Sequence, residues 1–516
     1  MKRDAIFPRM ALLAGALALA GVPAAADEVG DVHEPAAEHI DQSVLFDLVV
    51  AGEHDEAFEL AFEVGDELFE TEFNVLDGVG ANVGQGGQKF SRVPRADLAG
   101  PGEWANHFPE RATGPNAQAC NHCHDLPFDD GAGTTAGNVH RDPTHSASMG
   151  SFIIRNTPHL FAPGALQVLA EEMTERLHRI RDRASNRACE THGPVTRSLF
   201  AKGVSFGSIK ATPVSFHPCE VELDLSQVVG VGDDLIVRPF QWKGNFVTLR
   251  DFNRGAGHNE LGMQAVEITG DGADGDFDGV ADELTIGDLT ALTVYLAAQP
   301  RPTSKVELAI LGLIDPLPAH ELAAIGRGGL RFLQIGCASC HRPILGIDDP
   351  VFNEPSENPN YRDDPFPAGQ DPVARKVDPA FPVSFDLTED QPDNVIELPG
   401  GGVFRLGSLR KNGHGGGLVE LYGDLKLHDM GPALAETIDE TGTGASVWIT
   451  KELWGVGSTA PYLHDGRAST LTEAILAHGG DAQNSRNAFA TLDIGARKDL
   501  VAFLDNLVLF KQEEEE

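Results

Sequence analysis

The chain has 516 residues, of which 78 are acidic and 39 basic, giving a formal net charge of −39. A surface this negative argues against nucleic acid and anionic lipid as partners, because both repel it. The negative charge favours cationic partners or a high-salt habitat. The length of the chain predicts two to four domains.

The N-terminus has the pattern of a secretory signal peptide. A basic start with Lys2 and Arg3 precedes an apolar run over 10–22 and the small residues 24–26. The run is too short to span a bilayer, and no later stretch is long and apolar enough to do so. We therefore predict a signal peptide over 1–26, no membrane span, and a periplasmic or secreted mature protein.

The motif Cys-x-x-Cys-His occurs twice and is typical of c-type haem attachment. Its thiols bond covalently to the porphyrin, and its histidine becomes the proximal iron ligand. A disulfide or zinc site built from the same cysteines would leave both trailing histidines unexplained. The predicted attachment residues are Cys120, Cys123 and His124 in the first motif, and Cys337, Cys340 and His341 in the second.

The two remaining cysteines are Cys189 and Cys219. In an oxidising compartment two leftover thiols usually pair, so we predict a disulfide. Two free buried thiols are the alternative.

An acidic loop follows in the middle of the chain. Asp274, Asp276 and Asp278 alternate with other residues and precede Gly279, as in calcium loops. Position twelve is Thr285, where a complete EF-hand loop has glutamate. Calcium and a solvated acidic turn are therefore both open, with Glu283 or Asp288 as candidates to complete a calcium shell.

The chain has a duplicated pattern. Each motif is followed much later by a similar amphipathic helix, over 286–296 and 494–504, and the two helices are offset by nearly as many residues as the motifs. The proline-rich segment 300–303 cannot continue a helix. We therefore predict an N-terminal haem c domain over 27–302 and a C-terminal haem c domain over 303–516.

The predicted fold class is mainly α, with long loops and few short strands, in two cytochrome c-like domains that each hold one covalent haem. The 57 glycines and 32 prolines fit long loops. Further predicted helices cover 163–183, 318–333 and 471–477, and predicted short strands cover 234–238 and 403–409.

The C-terminal run 453–467, with 470–475 and His478-Gly479-Gly480, resembles the closing motif of a known family. These are the di-haem c-type oxidoreductases of the putative peroxidase, or thiol-oxidoreductase-like, family. They are related to bacterial di-haem cytochrome c peroxidases and to di-haem rubber oxygenases. The resemblance extends to the segments 155–161, 259–262, 297–302 and 427–431.

The resemblance implies that His478 is the distal ligand of the C-terminal haem. Two histidines would hold that iron low-spin and at a lower potential than histidine with methionine. His428 and Met430 are the alternative candidates for this ligand. The structural alternative for His478 is a surface histidine that caps a helix and binds no metal.

The N-terminal haem is then the candidate reaction site. We predict His258 and Glu260 as proton-transferring groups, with Glu171 and Glu172 behind them, because peroxide cleavage needs a group that moves a proton between the two oxygens. The run 240–243, which contains Trp242, resembles the family's segment between the haems, where an aromatic residue would carry electrons or stabilise an oxidised state shared by both irons. Each of these residues also has an ordinary structural alternative, a polar surface group or a core tryptophan.

The resemblance thus implies a peroxidase-like enzyme containing two haem irons. It would reduce hydrogen peroxide, or oxidise a substrate, at the N-terminal haem with electrons passed through the C-terminal haem. Its partners would be a small oxidant, peroxide or dioxygen, and a protein or small-molecule electron donor. A non-catalytic electron-transfer cytochrome and a dioxygenase of the rubber-oxygenase type are the alternatives.

Overall fold

The structure, a computed structural model, describes residues 34–80, 110–145, 149–390, 392–397 and 402–512. The predicted signal peptide, 1–26, lies outside this range. From Pro35 onward the chain forms one unit by its internal contacts. Within the described residues, no helix has both the length and the apolar character needed to cross a membrane.

The α-helices carry clear sequence reasons for where they begin. Thr285 with Asp288, and Thr470 with Glu473, form reciprocal capping boxes, and Asp493 caps the last helix. The described helices are α1 Gln42–Ala51, α2 His54–Glu70, α3 Pro163–Thr191, α4 Leu249–Ala256, α5 Val266–Thr269, α6 Ile286–Ala297, α7 Lys305–Leu311, α8 Ala319–Gln334, α9 Leu471–Ala477, α10 Gln483–Thr491 and α11 Ile494–Asp505.

Single 3-10 or π turns connect several of these helices. A π turn, Gly257–Leu261, continues α4 and carries His258 and Glu260. The 3-10 turns are Thr135–Gly137, Met149–Ser151, Cys337–Ser339, Val373–Arg375, Pro392–Asn394, Pro432–Leu434, Val456–Ser458 and Gly480–Ala482.

Most strands are short, and they pair in small antiparallel sheets among the described residues. The strands are β1 Val139–Arg141, β2 Ile153–Arg155, β3 Val195–Ala201, β4 Val204–Phe216, β5 Cys219–Asp224, β6 Thr303–Ser304, β7 Leu345–Gly346, β8 Val351–Glu354, β9 Val383–Asp386, β10 Val395–Glu397, β11 Val403–Arg405, β12 Arg410–Lys411, β13 Gly417–Val419, β14 Leu427–Asp429, β15 Val447–Ile449 and β16 Leu507–Val508. The three-stranded sheets are β3-β4-β5 and β12-β13-β7, and the two-stranded pairs are β1-β2, β8-β9, β10-β11, β14-β15 and β6-β16.

Most of the predicted helices are confirmed, whereas one predicted strand is wrong. The helix expected over 163–183 extends to Thr191, and the other four predicted helices agree to within a residue or so. The segment 234–238 is irregular, because side chains satisfy its backbone. The Val237 amide donates to Thr174 Oγ1 at 2.9 Å, and its carbonyl accepts from the Tyr361 hydroxyl.

The disulfide predicted between Cys189 and Cys219 is confirmed. It joins the last turn of α3 to the first residue of β5, with the two Cα atoms 6.0 Å apart. The three-stranded sheet that it fastens was not predicted from the sequence.

In the N-terminal half, α2 and the closing helix α6 pack together at Gly65. A Cβ placed on Gly65 would lie 2.6 Å from Tyr295 Cβ and still closer to the carbonyl oxygen of Ala291. Only a residue without a side chain allows this approach. One turn further along α2, the Phe69 ring lies 5.6 Å from that of Tyr295 and 6.2 Å from that of His124.

The C-terminal half repeats this arrangement. A Cβ on Gly328 of α8 would lie 2.7 Å from Phe503 Cβ of α11, and still closer to the carbonyl oxygen of Asp499. The Phe332 ring, one turn later, lies 5.3 Å from that of Phe503 and 6.5 Å from that of His341. Each half therefore has a glycine crossing and a phenylalanine wedged between the motif histidine and the closing helix.

The hydrophobic cores do not divide the chain at 302/303. A smaller core gathers Phe332, Leu471, Phe489 and Leu500 of the C-terminal half. The main core of the N-terminal half also takes in Leu345, Phe352, Phe385, Leu421 and other buried residues from 345–454. The two-domain boundary stays a prediction, and a long segment beyond it packs into the earlier half.

We expect Gly328→Ala to lower the free energy of unfolding by about 1–3 kcal/mol, because the added methyl group overpacks the α8–α11 crossing. Thermal or urea unfolding of the purified protein measures this.

Gly326→Ala is the matched control, since a Cβ at this exposed position of α8 meets nothing within 4 Å. It should be neutral or stabilising by up to about 1 kcal/mol, because alanine favours helix over glycine. Equal effects of both substitutions would contradict a close crossing at Gly328.

Candidate functional site

One large cavity brings together residues that are far apart in the sequence. Its wall includes Cys337, Cys340 and His341 of the second motif, and His478 after α9. It also includes Trp242, Trp448 and His464, together with Ala132 and residues 156–159, which follow the first motif. The lining therefore comes from both predicted halves of the chain.

Two histidines face each other across this cavity. The ring centroids of His341 and His478 lie 6.4 Å apart, with their planes at 55°. Imidazole nitrogens bind metals at about 2 Å, so two imidazoles on opposite sides of one metal ion have centroids about 6 Å apart. The observed separation fits a shared iron between them.

Hydrogen bonds orient both rings for ligation. His341 Nδ1 lies 3.1 Å from the carbonyl oxygen of Tyr422, and His478 Nδ1 lies 2.7 Å from that of Ala474. A metal-binding histidine typically donates one ring N–H to such an acceptor, which leaves the other nitrogen for the metal. Burial lowers the pKa of His341 to about 4 and also lowers that of His478, so both rings are neutral and ligation-competent at neutral pH.

The rival His428 is held by carboxylates instead. Its Nε2 lies 3.1 Å from an Asp424 oxygen, and its Nδ1 lies 3.3 Å from an Asp481 oxygen. Burial opposes the charged ring, but interactions with Asp424 and with the Cys340 thiol together outweigh it and raise the pKa of His428 to about 10. Both ring nitrogens of His428 thus already have carboxylate partners, which favours His478 as the ligand. Met430 lines the same cavity.

The first motif forms a similar anchored histidine. His124 Nδ1 lies 3.2 Å from the carbonyl oxygen of Gly131, and burial lowers the pKa of His124 to about 4. The Cys120 amide donates to the carbonyl of Phe69 at the end of α2, and the Cys123 amide donates to the carbonyl of Cys120. The motif is thus a tight turn fastened to the helix whose phenylalanine contacts His124.

Trp242 lies on the cavity wall and is only partly buried, so it is not a core tryptophan. Its indole N–H donates to the carbonyl of Asn156 at 2.8 Å, and Lys451 Nζ lies 5.6 Å from its ring. Asn156 belongs to the segment that connects the two halves here, because its amide donates to the carbonyl of His464.

A second tryptophan, which the sequence analysis missed, lies on the same wall. The Trp448 ring stacks on that of His464 at 3.8 Å and 18°, and Lys243 Nζ lies 4.0 Å from its centroid. Burial lowers the pKa of His464 to about 3, so this ring stays neutral. The pairing of His428 with Trp448 between β14 and β15 explains the placement, and no pattern in the sequence of those short strands indicates it.

A network of buried charged side chains lies beside Trp448 and extends to residues of the N-terminal half. Arg155 contacts Glu436 at 3.0 Å and Glu440 at 2.8 Å, and Arg141 contacts Glu440 at 2.7 Å. Arg141 also lies 3.8 Å from Glu260. Buried ions require such partners, so the network holds these segments in register.

Glu260 is partly buried against the segment that leads into the first motif. Its carboxylate accepts from Asn116 Nδ2 at 2.7 Å, and its backbone oxygen accepts from the amides of Asn116 and Ala117. Burial raises the pKa of Glu260, although Arg141 opposes this. His258 is buried, and its Nε2 lies 3.3 Å from the carbonyl oxygen of Glu110.

Glu171 and Glu172 have structural contacts. Glu171 accepts hydrogen bonds from Ser356 and Gln167, and Glu172 accepts from the amides of Asp348 and Asp349. They join α3 to the segment 348–356, so the structure does not support a role for them behind His258 and Glu260.

The acidic residues Asp274, Asp276 and Asp278 form a cluster of their own and do not line the cavity.

Residues 414–507 match the family described as "Di-haem oxidoreductase, putative peroxidase". The matched region contains His428, Trp448, His464 and His478, whereas both Cys-x-x-Cys-His motifs lie outside it. The chain has no significant match among curated proteins. At a coarse level, the match supports an oxidoreductase of the peroxidase-like type that holds two haems.

Proposed function

We propose that the chain is an exported di-haem c-type oxidoreductase with peroxidase-like activity. The observation that carries this proposal is the opposed pair His341 and His478 beside Cys337 and Cys340. Two anchored imidazoles, two thiols and a largely apolar wall fit a covalently attached haem whose iron His341 and His478 would hold. The family match over 414–507, which includes His478, supports the same assignment.

The first motif would hold the other haem through Cys120, Cys123 and His124. The repeated glycine crossing and wedged phenylalanine support two cytochrome c-like lobes, 27–302 and 303–516. When bound, haem would supply the iron through which electrons reach an oxidant such as hydrogen peroxide. Two cysteines and an anchored histidine at each motif fit that group.

The chain's own residues would supply protons at the N-terminal site. Peroxide reduction to two waters consumes two electrons and two protons, so a proton donor near the oxidant is required. Burial raises the pKa of Glu260, which favours the protonated, proton-donating form of its carboxyl group relative to an exposed glutamate. Asn116 and Arg141 fix its orientation, and His258 on the same turn is a second candidate.

Trp242 would carry electrons between the two haem sites. It lines the same cavity as His341 and as Ala132, which follows Gly131, the residue whose carbonyl anchors His124.

We propose a periplasmic or secreted location, a peroxide or dioxygen substrate, and a cationic electron donor that suits the net charge of −39.

Covalent attachment is tested by the mass and haemochrome spectrum of the purified protein. The wild type should carry two haems that resist acid-acetone extraction, and Cys337→Ala/Cys340→Ala should carry one. Cys189→Ala/Cys219→Ala is the control and should keep both, because these cysteines form the disulfide. Extraction of both haems from the wild type would refute c-type attachment.

We expect His478→Ala to convert one low-spin ferric signal to high-spin in electron paramagnetic resonance, because it removes one of two strong ligands. His428→Gln, on the same wall, should leave that low-spin signal unchanged. Retention of the low-spin signal in His478→Ala, or its loss in His428→Gln, would remove His478 as the ligand.

Glu260→Gln should lower kcat for peroxide reduction by roughly 10²–10⁴-fold, because it removes the proton while keeping the shape. Glu110→Gln is the control, since this side chain is exposed and the substitution keeps the backbone carbonyl that lies near His258. Stopped-flow reduction of peroxide measures both variants.

Two low-spin ferric signals that peroxide leaves unchanged in the wild type would instead indicate an electron carrier. A stable dioxygen adduct of the reduced protein would indicate an oxygenase.

A further inference from the structure

The acidic loop that precedes α6 forms a compact carboxylate cluster. One oxygen from each of Asp274, Asp276 and Asp278 lies within 4.8 Å of the other two. Like charges this close repel strongly unless a cation or protons neutralise them.

Two carboxylates at this site are buried and keep oxygens without a hydrogen-bond partner in the described part of the chain, namely Asp276 of the cluster and Glu283, which interacts electrostatically with all three aspartates. Asp276 is 0 % exposed, and neither of its carboxylate oxygens has a hydrogen-bond partner among the described residues. Glu283 is 1 % exposed; its Oε2 accepts from the Gln264 amide at 2.7 Å, whereas its Oε1 has no partner in the described part of the chain. A buried carboxylate without a hydrogen bond is costly, so these oxygens point to an absent ligand.

Arg111 is the basic side chain that acts on this cluster, and it does not close the shell. It is buried, and Asp276 and Glu283 stabilise its charge. Its Nε and Nη1 atoms nevertheless have no hydrogen-bond partner within the described ranges. One guanidinium cannot balance four carboxylates, and it leaves Asp276 uncontacted.

We propose that Asp274, Asp276, Asp278 and Glu283 bind a calcium ion. The donors are all carboxylate oxygens, which select a hard divalent cation over softer metals. Glu283 takes the part that position twelve has in an EF-hand loop, two residues before Thr285. Magnesium is disfavoured because it keeps much of its water shell, whereas Asp276 and Glu283 are buried.

The ion would also stabilise the N-terminal reaction site. The loop is closed at its base by a parallel bridge between Ala265 and Leu284. On one side it follows the turn Gly257–Leu261, with His258 and Glu260, and on the other it leads into the capping box of α6. A bound cation would therefore fasten the turn that carries the candidate proton donors to the closing helix.

Isothermal titration of Ca²⁺ into chelator-treated holoprotein tests the site without any turnover. We expect saturable binding of one Ca²⁺, weakened at least about tenfold by Asp276→Asn and by Glu283→Gln. Asp282→Asn is the matched control, because this exposed acid of the same loop accepts only from the Gly272 amide in the described contacts. It should bind like the wild type.

Thermal unfolding gives a second readout that does not depend on heat of binding. Ca²⁺ should raise the Tm of the wild type and of Asp282→Asn, and raise that of Glu283→Gln far less. A wild type that neither binds Ca²⁺ nor gains Tm overturns the proposal, as does equal binding by all variants or tighter binding of Mg²⁺. None of these outcomes bears on peroxide reduction, so failure here leaves the proposed function standing.

Discussion

The close approach of two helices at a glycine is the constraint on which the rest of the structure depends. At Gly65 and at Gly328 the backbone of an early helix lies directly against the closing helix. Because the helices approach so closely there, Phe69 and Phe332, one turn later, pack between the closing helix and the rings of His124 and His341. The packing beside each motif histidine thus follows from a position where no side chain is tolerated, since close-packed interiors transmit such constraints.

Local patterns predicted local features well. The start of α9 follows from the capping box at Thr470 and Glu473, and the pairing of Cys189 with Cys219 follows from their being the two cysteines outside the Cys-x-x-Cys-His motifs. What could not be predicted depends on distant contacts. Gly65 meets Tyr295 only after folding, and 234–238 looks like a strand until Thr174 takes its backbone hydrogen bond.

The cavity shows the same division at the level of side chains. In the sequence, His478 and His428 are both plausible iron ligands. Their hydrogen-bond partners in the structure distinguish them. His478 points one nitrogen at a carbonyl, whereas His428 lies between two carboxylates. Trp448 had no signal of its own, because its position depends on the pairing of β14 with β15 and on Lys243 arriving from another segment.

The shared core of the N-terminal half has a consequence for how the protein folds. Phe352 and Phe385 complete a core most of whose other members lie between Ile40 and Ala298. Because the chain is synthesised from its N-terminus, part of that core stays uncovered until the residues beyond the proline-rich boundary have been made. A fragment that ended at that boundary would lack the side chains that close its own core, so the earlier half reaches its native packing only together with the later one.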